Sequence, residues 1–444
     1  MRISPLYLLL SLCPQAILGQ KDSDNVEGTI DVNGFNAQDP LQYGSMNPPP
    51  RHQRELENLQ TRLSKTTGTY NQFHPRYRLL DALWSYSSYQ TLNLAELNRW
   101  RSLYKNMGKK QRKSLEHLIH YTAKLDRIET EIATNAKLAD EIVATALDFY
   151  SVSREELDAH VKEEGEKKGR KPDRISVAQT MKHYVRDWAV EGKKERDDAF
   201  PCLLEIMKGL KKEMLRVVEG EETEELKVVL PGAGLGRLGS EIDFLGDFEV
   251  TINEWSMYMN VAYRFINHPT PRAPDMHTFH PFIDGLSHHA TNDDLHRAVT
   301  FPELPPWPTV LLVEGDFTTA FNNQEGYYDI VVTHFFIDTA RNLISYFETI
   351  KKILRKGGKW VNLGPLLYGT GPFVQLSLDE ILVVVEGMGF AFEEVVKDGS
   401  TDDVCGQPTF EGNKVRSLEA EYGFNGRALT KNAYKAQVWV AKKL

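Results

Sequence analysis

Val228-Val-Leu-Pro-Gly-Ala-Gly-Leu-Gly-Arg-Leu-Gly239 decides the fold of this 444-residue chain. A short apolar run stops at a glycine-rich turn, and an amphipathic segment, Arg237 to Leu245, follows at once. That order begins a strand–loop–helix unit, whose bare backbone lets a nucleotide-like ligand approach closely. The dinucleotide fingerprint G-x-G-x-x-G would place glycine at 237, where this chain has Arg237. A second apolar run, Phe248 to Ile252, ends at Asn253-Glu254, 22 residues after Gly232. An acidic side chain at such a tip can accept both ribose hydroxyls of an adenosine. A ribose acceptor without a pyrophosphate fingerprint points to S-adenosylmethionine rather than to NAD, so a dehydrogenase is disfavoured.

The length suits two domains or one with large extensions, and 41% hydrophobic content supports a sizeable core. A net charge of −9 argues against nucleic acid as the main ligand. The three cysteines, Cys13, Cys202 and Cys405, show no metal-site spacing. A pairing of Cys202 with Cys405 is allowed but not favoured. Residues 1–20 carry one positive charge, an apolar centre and a small residue near the end, the pattern of a secretory signal peptide. Few cysteines and the absence of an N-x-S/T sequon after it argue the other way. No later run of about 18 apolar residues announces a transmembrane helix.

Residues 21–50 read as a disordered linker ending in three prolines. From 51 to 222 the pattern is helical, with six or so helices expected. Leu56, Leu59 and Leu63 repeat at helical spacing, as do Leu115, Leu118, Ile119, Leu125, Ile128 and Ile132. From 223 to 444 strands and helices alternate, which implies a parallel sheet covered on both faces. Expected strands are Lys227–Leu230, Phe248–Ile252, Val310–Val313, Tyr328–Thr333 and Lys359–Leu363. Two further apolar runs, Phe390–Val396 and Tyr434–Ala441, are expected to pair antiparallel at the sheet's end. The stretch 269–308 reads as an insertion, of the kind that often forms a lid or binding loop. Its histidines, His277, His280, His288, His289 and His296, lack metal-ligand spacing, so no metal is expected.

Ligands of open α/β sheets lie beyond the carboxyl ends of the strands. That rule selects Gly232–Gly236 (Gly234 among them), Glu254, Asp316-Phe317, the stretch from Phe335 to Asp338, and Asn362–Tyr368. Asp316 would accept the adenine amine with Phe317 flanking the ring, or serve as a plain turn aspartate. Asp338 would cap a helix opening at Thr339 and so stand at the mouth of the cleft, with Asn342 one turn on. Upstream, Met181–Trp188 is basic and aromatic on an expected helix. There Arg186 could clamp the carboxylate of the cofactor's methionyl part, or be a surface arginine.

Six blocks together resemble the carnosine N-methyltransferase family: H-Y-V-R-D-W (183–188), P-G-A-G-L-G-R-L (231–238), N-E-W-S (253–256), G-D-F (315–317), F-F-I-D-T-A-x-N (335–342) and N-L-G-P-L-L-Y (362–368). The resemblance runs from about Ser176 onward and implies a Rossmann-like methyltransferase sheet with an N-terminal helical domain. It implies methylation of the imidazole π nitrogen in carnosine and related compounds, with S-adenosylmethionine as donor. Cofactor contacts are implied at Arg186, Gly232, Glu254, Asp316 and Phe317, and His183, Gly234 and His334 complete the candidate set. His183 stands where the family commonly has glutamine. Substrate contacts are implied at Asp338, taken as the catalytic residue, and at Tyr434. Gly369 replaces the histidine that usually follows N-L-G-P-L-L-Y in the imidazole pocket.

The chemistry this implies is direct. A neutral imidazole nitrogen already carries the lone pair that attacks a sulfonium methyl. Asp338, accepting from the other ring N–H, would fix the tautomer and stabilise the developing charge. Because Gly369 departs from the pattern, the acceptor is carnosine or a related imidazole, or a histidine in a peptide or protein. A cofactor-binding protein without catalysis is the reading from another class. The cytoplasm and nucleus are the compartments that the resemblance implies, the secretory pathway is the alternative, and an oligomer is allowed.

Overall fold

The computed structural model describes residues 49–215, 224–268, 276–304, 309–369, 371–395 and 404–444. The expected signal peptide and nearly all of the expected linker lie outside these residues. The described residues belong to one compact unit.

Eight α-helices precede the sheet among the described residues, rather than six: α1 (Pro50–Leu63), α2 (Pro75–Ser87), α3 (Tyr89–Lys105), α4 (Lys109–Ile119), α5 (Tyr121–Phe149), α6 (Arg154–Val161), α7 (Arg174–Trp188) and α8 (Lys193–Met214). The apolar spacing read from Leu115 to Ile132 is not one helix. His120 adopts φ 50° and breaks it, leaving Leu118 and Ile119 exposed on α4. In α5 the rhythm holds, and Leu125, Ile128, Ile132 and Ala139 are buried along one face. This face belongs to the same apolar core as the inner sheet residues Val228, Val250 and Ile330.

The strands are β1 (Leu226–Pro231), β2 (Phe248–Glu254), β3 (Met276–Phe279), β4 (Val299–Pro302), β5 (Leu311–Glu314), β6 (Tyr328–His334), β7 (Leu354–Gly364), β8 (Phe390–Glu393), β9 (Gln407–Pro408), β10 (Val415–Glu421) and β11 (Ala433–Lys443). Among the described residues nine of them form one sheet in the order β5-β2-β1-β6-β7-β11-β10-β9, with β8 also on β11. The first five of that order run parallel, and β11 is antiparallel to β7, β8 and β10. Strand β1 is buried at five of its six positions, as a strand covered on both faces should be. The helices after the strands are α9 (Arg237–Asp243), α10 (Met257–Ile266), α11 (Asn292–His296), α12 (Phe317–Ala320), α13 (Leu343–Ile353) and α14 (Leu378–Gly387).

Three further features were not anticipated. The helix after β6 opens at Leu343, not Thr339, and Asn342 caps it by accepting the Ser345 N–H at 3.4 Å. Asp338 lies instead in a separate single turn, Ile337–Thr339. The insertion contains the β3–β4 hairpin, whose Phe301 ring stacks on Tyr184 of α7 at 4.1 Å. Its described part is therefore a packing element. Cys202 of α8 and Cys405 are joined by a disulfide that the spacing did not favour.

Among the described residues no helix is long and apolar enough to cross a membrane, and no group of ligating side chains could hold a metal.

Candidate functional site

A cavity of about 830 Å³ opens at the carboxyl ends of β1, β2, β5 and β6, closed on one side by α7. Gly232, Gly234 and Gly236 all have positive φ there, so the loop turns back tightly over the end of β1. A Cβ at Gly232 would stand 2.4 Å from the Phe336 ring, which leaves no side chain but hydrogen.

Helix α7 grips this loop at Leu235. The Asp187 carboxylate accepts the Leu235 N–H at 3.1 Å, and Trp188 Nε1 donates to the Leu235 carbonyl at 2.9 Å. Asp187 also accepts Arg186 Nε at 2.7 Å. Burial works against charge on both partners. The opposite charge beside each overrides it, holding the Arg186 guanidinium above its ordinary range and the Asp187 carboxyl below. Arg186 is thus no free surface arginine; its guanidinium also lies 5.0 Å from the centre of the Tyr422 ring.

Glu254 ends β2 and accepts two backbone N–H groups, from Gly234 at 3.0 Å and Ser256 at 2.8 Å. Burial raises its pKa, and those bonds oppose the rise. Asp316 is exposed and caps α12, accepting the Thr318 N–H at 2.8 Å, while Phe317 behind it is buried against Phe336. His183 and His334 are pushed down to about 3, first by burial and then by Arg186. His183 Nδ1 and His334 Nε2 are buried without a hydrogen-bond partner.

All eight residues singled out as cofactor contacts, His183, Arg186, Gly232, Gly234, Glu254, Asp316, Phe317 and His334, line this one cavity. The three expected substrate contacts do not. Asp338 is buried and accepts the Leu367 N–H at 2.9 Å, and burial raises its pKa. Tyr434 stands behind the wall, its ring 5.9 Å edge-on from cavity-lining Phe335. Gly369 is exposed, with open space where a Cβ would be.

Sequence reasoning missed several walls of the cavity. Asp187 lay inside a quoted motif without a role. Tyr422 comes from the excursion between β8 and β11 and stacks on Phe335 at 5.0 Å. Phe73 reaches the mouth from the loop before α2. Phe335 itself sits at φ 50°, a strained turn that swings its ring toward Tyr422.

A family model described as Carnosine N-methyltransferase matches residues 165–444. The chain is 36% identical to the carnosine N-methyltransferase of Rattus norvegicus over 232 residues, which span 50% of this chain and 56% of the rat protein. It is 31% identical to that of Mus musculus over 316 residues, 69% of this chain and 75% of the mouse protein. Identity to the Schizosaccharomyces pombe protein of the same name is 30% over 321 residues, 67% of this chain and 80% of that protein.

Proposed function

Because the chain belongs to the carnosine N-methyltransferase family, we propose that it moves a methyl group from S-adenosylmethionine to the π nitrogen of an imidazole ring in carnosine or a related small histidine-containing molecule. By family it is a methyltransferase that uses S-adenosylmethionine; the acceptor and the ring position are what the proposal adds. One observation supports the donor half of this reading: eight residues from five separate stretches of sequence converge on a single cavity at the strand ends.

The residues fit the donor. Glu254 offers a carboxylate to a ribose, and the loop held by Gly232 and Gly234 keeps its backbone bare for close approach. Arg186, held charged by Asp187, suits the donor's carboxylate, and the unpartnered His183 Nδ1 and His334 Nε2 can take up polar groups of the same ligand. When bound, S-adenosylmethionine supplies an electrophilic methyl on a sulfonium.

The rest of the reaction falls to this chain. Phe335, Phe336 and Tyr422 give the cavity an apolar wall that excludes water. In this reading Asp338 accepts the N–H of the acceptor ring, fixing which nitrogen is unprotonated. A carboxylate has about four acceptor positions, so the Leu367 N–H leaves capacity for a second donor.

Incubation with labelled S-adenosylmethionine and a panel of imidazole compounds tests the proposal. Methyl on the π nitrogen of a small imidazole is the expected product. Cofactor binding without transfer to any imidazole would overturn it.

A further inference from the structure

We infer that Arg341 is an acceptor-binding residue that reads a free carboxylate on the methyl acceptor, so that the enzyme prefers an anionic imidazole compound over its neutral carboxamide. The inference rests on the proposed imidazole reading and adds the charge class of the acceptor.

Three arginines line the cavity. Arg186 is paired with Asp187 at 2.7 Å, and Arg237 with Glu241 at 2.6 Å. Arg341 has no carboxylate partner among the described residues and is exposed at the mouth. Its guanidinium lies 5.1 Å from the centre of the Phe373 ring, which is itself 69% exposed and lines the same cavity. A guanidinium laid on an aromatic face keeps its fork of donors free, and that fork matches a carboxylate.

The backbone holds this pair in place. Phe373 donates its N–H to the Arg341 carbonyl at 2.8 Å, and Leu367 donates to Asp338 at 2.9 Å. The span from Leu367 to Phe373 is thereby tied at both ends to Asp338–Arg341. The residue that would hold the imidazole N–H and the residue that would hold the carboxylate are three positions apart, each tied to this span. An imidazole amino acid or dipeptide presents both groups within a few bonds. With Arg186 given to the donor's carboxylate and Arg237 paired with Glu241, Arg341 is the cavity arginine left for an anionic acceptor.

The test compares β-alanyl-histidine with its carboxamide by calorimetry, in the presence of S-adenosylhomocysteine, and then by kcat/KM. The wild-type chain should bind the acid at least about tenfold tighter, as one charge-assisted pair provides. Arg341→Gln should bring the two ligands within about twofold, and Arg341→Lys should keep part of the difference because it keeps charge without the fork. S-adenosylhomocysteine affinity should not change in either variant. No acid preference in the wild type, a preference that survives Arg341→Gln, or a parallel loss of S-adenosylhomocysteine affinity would each overturn the inference. An acid preference that depends on Arg341, seen without methyl transfer to any imidazole, would support the inference while ending the proposed activity.

Discussion

Leu367 donates its backbone N–H to the Asp338 carboxylate across 2.9 Å, joining the segment after β7 to the single turn after β6. The bond sets a buried carboxylate between the chain that leaves β6 and the chain that leaves β7. Burial raises the pKa of Asp338.

Asp338→Asn should cut turnover by about 10²- to 10³-fold while S-adenosylhomocysteine affinity stays the same, the expected loss for one electrostatic partner of the reacting ring. The raised pKa adds a second readout. A carboxyl raised in the folded state favours folding below its unfolded pKa and loses that contribution as pH rises through the folded value. Removing the charge at pH 7 should therefore leave the melting temperature equal or higher. Unchanged turnover would remove Asp338 from the reaction.

Glu254→Gln keeps the size of the side chain but leaves one acceptor oxygen where the carboxylate now takes two N–H groups. Cofactor affinity should fall by roughly 10- to 100-fold, the range for losing charge-assisted bonds, as titration calorimetry would show. Affinity within error of the wild type would mean that the ribose lies elsewhere.

The parallel sheet and the glycine-loop side of the cavity were legible in the sequence because both are local. Glycines at 232, 234 and 236, and an acidic residue closing β2, announce themselves by composition and spacing. The opposite side was not. Tyr422 reaches Phe335 only because β10 pairs with β11, a long-range contact without local signature. Asp338 reads as a helix cap, yet Asn342 does the capping because the chain makes an extra turn first. The sequence left the insertion's role open between lid and binding loop; Phe301 and Tyr184 pack it against α7, and no described residue of it lines the cavity.

Gly232→Ala should abolish cofactor binding. Its Cβ would collide with Phe336 and its φ of 66° disfavours any side chain, together costing about 1–3 kcal/mol of stability. Gly369 is the contrast, since nothing lies within 4 Å of a Cβ there. Gly369→His should fold as well as the parent and raise kcat/KM for carnosine by up to about tenfold, the worth of one added hydrogen bond. Melting curves and steady-state kinetics on both variants separate the two outcomes.

His183 is held neutral down to about pH 3 by burial and by Arg186. An imidazole depressed in this way leaves stability complete above its unfolded pKa near 6.5 and lost progressively as pH falls toward 3. His183→Gln should flatten the acid limb of the melting temperature against pH between those values. An unchanged limb would show that other groups govern acid sensitivity.

Reducing the Cys202–Cys405 bond, or Cys202→Ser, should cost about 2–5 kcal/mol, as cross-links closing long loops do. The bond fastens the approach to β10 onto α8, and β10 leads directly into Tyr422. Cofactor affinity should weaken along with stability, and calorimetry under reducing and oxidising conditions would show whether the two move together.

Strand β11 lies between β7 on one side and β8 and β10 on the other. During synthesis the residues that fill this slot emerge after every other strand of the sheet. Until 433–443 are made, β7 presents an unpaired edge whose buried run from Lys359 to Gly364 is a template for wrong partners. A chain cut short before β11 should therefore aggregate where one that includes it folds.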